Sequence, residues 1–336
     1  MAPEAEPRLD VDRDPVPSPD PDESALKTPS QAAGATNPAG VQKDQNGIYT
    51  LRANVDEVLL NCTVIDAKGR IITDLTRADF QVWEDGVPQA VNSVIRQDVP
   101  VSMGILVDNS GSMREKRAVV NMAALNLLRA SNPLDRAFIV NFSDRAFLDQ
   151  GFTSDLVALN RGLSRLDSKG TSAVYDAVAA SSDELARNAK ERKQVLLIIT
   201  DGADNASRLT LEQAIRRVQN LGGPVVYTIG LLFDVESDEA ERAREALEKL
   251  SQETGGVAYF PRSMDDVNRV ANEVAGDIRN QYTVDYRSNK EISSGGYRTV
   301  HVEAKSAKHG ILFVRTKKGY FAQPSVPSQV TQRAQQ

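Results

Sequence analysis

Between residues 101 and 281 the hydrophobic pattern alternates between two kinds of segment, and this alternation constrains the fold more than any other feature. Continuous apolar runs occur at Val101–Val107, Ala137–Phe142, Val195–Thr200 and Val225–Leu231. Such runs suit strands covered on both faces, as in parallel sheets. Between them lie helical patterns at Arg114–Ala130, Asp155–Leu166, Ser172–Ala189 and Thr210–Leu221. The last opens with Thr210 and Gln213, a capping box, and stops at Gly222-Gly223-Pro224. Helices at Asp238–Glu253 and Met264–Asn280 follow, with a short strand Val257–Phe260 between them. Strand–helix alternation predicts a doubly wound, mostly parallel α/β sheet with helices on both faces.

On either side of this unit the period falls to two. Val58, Leu60, Cys62 and Val64 share one face, and Phe80 and Val82 alternate with Gln81 and Trp83. Asp85-Gly86 then marks a hairpin, with Pro88–Ile95 as the return strand. After Gln281, Tyr282, Val284 and Tyr286 alternate with polar residues, as do Val300, Val302 and Ala304. Each β segment, 48–98 and 282–322, is too small to bury a core alone. The expectation is one small β-sandwich built from both, with the α/β unit of 99–281 inserted between them. The leader 1–47 holds eight of the fifteen prolines, no aromatic residue, and nine acids against four bases. It is expected to be disordered, as is the tail 323–336.

Composition narrows the chemistry. The net charge is −6, of which the leader supplies −5, so the remainder is nearly neutral and lacks the basic face that nucleic acid requires. No apolar run approaches a membrane span. One cysteine, Cys62, rules out an intrachain disulfide or a cysteine zinc cluster and reads as a small buried hydrophobe. His301 and His309 both fall in the second β segment and leave little for histidine-dependent catalysis.

The candidate site begins at Asp108-Asn-Ser110-Gly-Ser112, directly after the first buried strand. In open parallel sheets the loops at the carboxyl ends of strands line the binding crevice. Thr171 precedes a helix, and Asp201 ends the most apolar strand. Asp108, Ser110, Ser112, Thr171 and Asp201 offer five hard oxygen ligands without nitrogen or sulfur, which favours Mg²⁺, Mn²⁺ or Ca²⁺ over zinc. With two carboxylates only, such a metal keeps an open position suited to an acidic group. Asp204 and Asn205 read as a solvated loop beside it.

Asp108-x-Ser110-x-Ser112, Thr171 and Thr200-Asp201-Gly202, in this order, resemble the metal-ion-dependent adhesion site of von Willebrand factor type A domains, over about 99–281. The flanks sharpen the likeness. Val64-Ile-Asp66-Ala-Lys-Gly-Arg70, Glu84-Asp-Gly86, Gln281-Tyr-Thr-Val-Asp-Tyr286 and Lys318-Gly-Tyr-Phe321 resemble a VWFA-related branch abundant in acidobacteria. The resemblance implies a non-enzymatic, metal-dependent module that binds a protein ligand through an acidic residue. It implies direct metal bonds from Ser110 and Ser112, direct or water-mediated ones from Thr171, and Asp108 and Asp201 often acting through water. It also implies export to the periplasm or beyond, although no signal peptide is seen at Met1. Two alternatives stay open: a Mg²⁺-dependent phosphohydrolase with Asp108 as nucleophile, and a scaffold that binds no metal. The first would want a second acid where Ser110 stands.

Overall fold

The computed structural model describes residues 6–11, 42–43, 49–50, 57–165, 170–220, 223–291 and 294–322. Elements in chain order begin with a two-strand pair, β1 (Gln42–Lys43) and β2 (Tyr49–Thr50). The first β segment holds β3 (Glu57–Asp66), β4 (Phe80–Glu84), β5 (Val87–Gln89) and β6 (Val91–Ile95). The α/β unit runs β7 (Val101–Asp108), α1 (Arg117–Ala130), β8 (Arg136–Phe142), β9 (Ala146–Thr153), α2 (Leu156–Leu163) and α3 (Val174–Asn188). It continues through β10 (Lys193–Thr200), α4 (Leu211–Asn220), β11 (Val225–Gly230), α5 (Ser237–Thr254), β12 (Ala258–Tyr259) and α6 (Val267–Arg279). The chain then forms β13 (Tyr282–Arg287), β14 (Tyr297–Ala304), β15 (Leu312–Arg315) and β16 (Gly319–Phe321).

The α/β unit is built on a six-stranded sheet in the order β12-β11-β10-β7-β8-β9, parallel except at β9. Every residue of β7 is buried, as its apolar run requires. Its odd positions, Met103, Ile105 and Val107, pack with α1, α2 and α6 on one face. Leu106 faces the other side with Phe138, Val140 and the helices α3 and α4. Each such fully buried aliphatic contributes roughly 1.5–3 kcal/mol relative to exposure. Gly104 sits where sheet and ring meet: a Cβ there would lie 2.5 Å from the Phe138 ring and 2.6 Å from Leu196. Thr210 and Gln213 form the expected cap, each backbone N–H bonded to the other's side chain at 2.8 and 3.2 Å.

The two β segments combine as expected. One four-stranded sheet runs β15-β3-β13-β6 and the other β16-β14-β4-β5, so each mixes strands from both sides of the α/β unit. Val58, Leu60, Cys62, Val82, Val284 and Val302 belong to one core between them. The expected return strand Pro88–Ile95 is two strands, not one. β5 pairs with β4, whereas β6 pairs with β13 in the opposite sheet, so the chain changes sheets at Ala90.

Two further differences stand out. The sequence pattern gives no strand over 146–153, yet β9 forms the antiparallel edge of the central sheet. Its buried Asp149 and Gln150 hide the apolar signal. The leader is not uniformly without structure either. Asp10 pairs in parallel with Phe147 of β9, its N–H reaching Ala146 O at 2.8 Å and its carbonyl accepting from Leu148 N at 3.0 Å. Leu9 packs against the α3 side of the core. Gln42–Lys43 form β1 as well. The rest of 1–47 outside residues 6–11, the tail 323–336, and the helix ends at Leu166 and Leu221 fall outside the described residues.

Candidate metal centre

In the central sheet, β8 lies to one side of β7 and β10 to the other. Chain order reverses there, which opens a crevice at the carboxyl ends of the two middle strands. Asp108 is the last residue of β7, and Asp201 follows directly on Thr200 at the end of β10. Ser112 belongs to a short 3₁₀ turn, Gly111–Met113, and Ser110 precedes it at the N-cap, so the chain passes from β7 towards α1.

A row of oxygen atoms crosses the crevice. Ser110 Oγ lies 3.2 Å from Ser112 Oγ, and the Ser112 hydroxyl donates to Asp201 Oδ1 at 2.9 Å. Asp201 Oδ2 accepts from the Lys116 ammonium, also at 2.9 Å. Behind the row sits Asp108, fully buried. Its Oδ1 accepts from Ser110 N at 2.8 Å, and its Oδ2 from Ser172 Oγ at 2.9 Å and Thr200 Oγ1 at 2.6 Å. Burial pushes the Asp108 carboxyl above the usual carboxylate range, with the Asp201 charge adding, against the lowering effect of the Thr200 and Ser110 hydrogen bonds. Beneath the loop, the buried Arg117 guanidinium donates to the Asp108 carbonyl at 3.1 Å and to Asn141 Oδ1 at 2.7 Å, fixing the turn from below.

Four of the five expected residues, Asp108, Ser110, Ser112 and Asp201, therefore join one hydrogen-bonded set. Thr171 is exposed and bonds elsewhere: its N–H donates to Asp144 Oδ1 at 2.7 Å, and its hydroxyl donates to the same oxygen. These bonds hold the Asp144 carboxyl below its ordinary range. Gly170 makes the approach feasible. Its φ is +88°, and a Cβ there would lie 2.7 Å from Asp144 Oδ2. Thr171 is tied to the set through its neighbour Ser172.

Sequence reasoning missed Ser172, Lys116 and Asp144, and left Thr200 without a role. The first three contacts join residues 27 to 85 positions apart, a separation that no local pattern encodes. Asp204 and Asn205 are braces as well as loop residues. Asn205 Oδ1 accepts from Ser172 N at 2.8 Å, and Asp204 Oδ2 accepts from Tyr175 N in the first turn of α3 at 3.0 Å. The second is also a favourable place for an anionic side chain against the helix dipole. The loop beside the site between β8 and β9 is residues 143–145.

Residues 103–203 match the family model of the von Willebrand factor type A domain. No curated protein matches the chain. Among solved structures, a von Willebrand factor type A protein from Catenulispora acidiphila is similar at 13% identity and TM-score 0.47, over 80% of this chain and 75% of that one. Proximal thread matrix protein 1 from the mussel byssus, with a zinc-occupied MIDAS motif, is similar at 16% and 0.45, over 59% and 50%. The pilus adhesin SpaC from Lactobacillus rhamnosus GG, in an open conformation, is similar at 13% and 0.45, over 71% and 47%. The chain spans about half the length of the latter two.

The type A match, 103–203, covers all five candidate residues, from Asp108 to Asp201. The donor set can be tested for a metal on its spacing. Neighbouring ligands of an octahedral Mg²⁺ with bonds of about 2.0–2.1 Å stand roughly 2.9 Å apart. The separations of 3.2 and 2.9 Å along Ser110, Ser112 and Asp201 fit that edge. Among the described residues, no group of three or more His, Cys, Asp or Glu could hold a metal ion. Hydroxyls are therefore indispensable to any ion bound here, and they select a hard one. No helix among the described residues is long and apolar enough to cross a membrane.

Proposed function

We propose that this protein is a divalent-metal-dependent protein-binding module. Ser110, Ser112 and Asp201 hold Mg²⁺ or a similar hard cation, including Mn²⁺ or Ca²⁺. Asp108 and Thr171 complete its surroundings, and an acidic side chain of the protein ligand fills the position left open. The observation that carries this reading is the row of two hydroxyls and a carboxylate at octahedral spacing, set at the switch point of the sheet. Two carboxylates lie buried there, and the Lys116 ammonium bonds one of them, Asp201. A hard cation would offset the burial cost that pushes the Asp108 carboxyl up.

The module division follows from the same reading: type A domain over 99–281, flanked by the sandwich halves 48–98 and 282–322. The rim around the metal consists of Ser143–Arg145, Gly170–Thr171, Ala203–Arg208 and Leu232–Asp234, and this is where the partner's identity is read. Export from the cytoplasm belongs to the reading through the family resemblance alone.

The phosphohydrolase alternative needs the Asp108 carboxylate to attack phosphorus. Asp108 is fully buried and both its oxygens are engaged by donors, which disfavours that role.

Calorimetric titration of Mg²⁺ and Mn²⁺ into wild type and Asp108→Ala tests the metal. Binding in the wild type and none in the variant is expected, and equal titrations sink the assignment. A pull-down in Mg²⁺ against EDTA tests the partner. Retention that ignores both EDTA and Asp108→Ala would place recognition elsewhere.

A further inference from the structure

Lys116 stands between the hydroxyl row and the start of α1. Its ammonium bonds Asp201 Oδ2 at 2.9 Å, and its side chain is 13% exposed against 2% for Asp201. The ring of Phe233, from the short turn Leu232–Asp234, lies 5.5 Å from the same ammonium. Carboxylate and ring thus hold the cation from two directions. Asp201 is shared: Oδ1 serves the Ser110–Ser112 row, and Oδ2 serves the ammonium.

Any cation bound by the row must draw on a carboxylate already neutralised by Lys116. Charge that Asp201 gives to one cation is withheld from the other, and two cations on one carboxylate repel across a poorly screened, largely buried gap. We propose that Lys116 is a built-in counter-cation: it occupies Asp201 while the site is metal-free, and it sets the affinity of the site for a divalent ion by competing for that carboxylate. The proposal rests on the metal reading above and adds a residue that the type A motif does not include. Lys116 then leaves a positive charge beside the loaded set, with which a carboxylate from a partner can pair.

A purely structural brace and a competing cation predict opposite signs. If Lys116 only positions Asp201, removing it slackens the carboxylate and weakens metal binding. If it competes, removing it strengthens binding. The test is calorimetric titration of Mg²⁺ and of Mn²⁺ into the full chain as wild type, Lys116→Met, Lys116→Gln and Lys116→Arg. Both neutral variants should bind at least about tenfold tighter, whereas the arginine variant should stay near wild type. Lys116→Gln keeps a donor to Asp201 without the charge, and so covers the case in which Lys116→Met does not fold. Thermal unfolding supplies a second readout: in EDTA the neutral variants should melt below wild type, and saturating Mg²⁺ should close the gap. Equal or weaker binding by folded neutral variants overturns the role of Lys116 and leaves the metal reading intact. Absence of binding in all folded proteins, neutral variants included, overturns both.

Discussion

The molecule buries carboxylates in two ways. In the sandwich, Glu84 is 1% exposed and fully enclosed by the chain's own donors. Tyr286 and Tyr320 donate to Oε2 at 2.7 and 2.8 Å, and Ser288 and Arg298 to Oε1 at 2.6 and 3.2 Å. Arg298 is itself buried and donates onward to the carbonyls of Lys290 and Glu291. At the carboxyl end of the central sheet, Asp108 and Asp201 are equally buried, but only hydroxyls, one backbone N–H and one lysine answer them. The first arrangement is closed, and it ties strands of the two β segments together. The second pairs one lysine with two carboxylates, a shortfall that the proposed cation would make up. A buried acid alone therefore says little. Whether the chain has already supplied the counter-charge separates a structural acid from a receptive one.

The strongest way to break this contrast is to open the closed acid. Arg298→Met strands Glu84 without its cation, and a loss of about 3–5 kcal/mol is expected in denaturant unfolding. Asp108→Asn should stay within about 1 kcal/mol of wild type in EDTA, since hydrogen bonds change but no ion pair is lost. Equal losses in the two variants would erase the distinction.

Another buried acid sharpens it. Asp135, at the amino end of β8, accepts from Val101 N at 2.7 Å and Asn132 N at 3.1 Å. Burial nevertheless pushes its carboxyl up to about 6, with the Asp98 charge adding to the rise. The folded protein then holds this proton more tightly than the unfolded chain, whose carboxyl titrates near 4. The group's contribution to stability is present below about pH 4 and is lost as pH rises through about 6. The slope contributed is at most about 1.4 kcal/mol per pH unit. Unfolding measured from pH 4 to 7 should show this decline in wild type and not in Asp135→Asn, and parallel curves would count against it.

The smallest effect belongs to the sheet edge. Asp10 pairs with Arg145, whose side chain is more than half exposed, and Glu6 pairs with Arg217. Solvent-screened pairs of this kind are worth less than about 1 kcal/mol. Arg145→Ala should therefore move the melting temperature by only a few degrees. A larger shift would mean that the leader segment closes the α/β unit much as Glu84 closes the sandwich.

How legible these regions were in the sequence follows from their physics. β7, β10 and β11 were plain because a strand covered on both faces cannot carry polar residues without marking itself. β9 was hidden for the converse reason: Asp149 is accommodated inside by Asn141 Nδ2 at 2.6 Å, so a polar residue sits where the pattern demands an apolar one. The switch of sheets at Ala90 was hidden because alternation continues through it while the partner strand changes. Within the site, Asp108, Ser110 and Ser112 announce themselves because one loop carries all three. Lys116 lies only four residues beyond Ser112, yet its meaning depends on Asp201, which arrives 85 residues later on another strand. Thr171 was named for its hydroxyl and its place before a helix, and the structure sets it on Asp144, a carboxylate that no spacing rule indicated.

The inserted α/β unit has a mechanical consequence. The chain leaves the sandwich along β6 and returns along β13, and these are antiparallel neighbours with Ile95 opposite Thr283. Exit and return are thus one strand spacing apart, about 4.8 Å. Tension applied between Glu57 and Phe321 runs along the ladders of the sandwich, and the α/β unit hung between β6 and β13 feels it through side contacts such as Arg315–Asp277 and Lys318–Glu253. The covalent path through the oxygen row at Asp108 carries no load until the β6–β13 ladder parts.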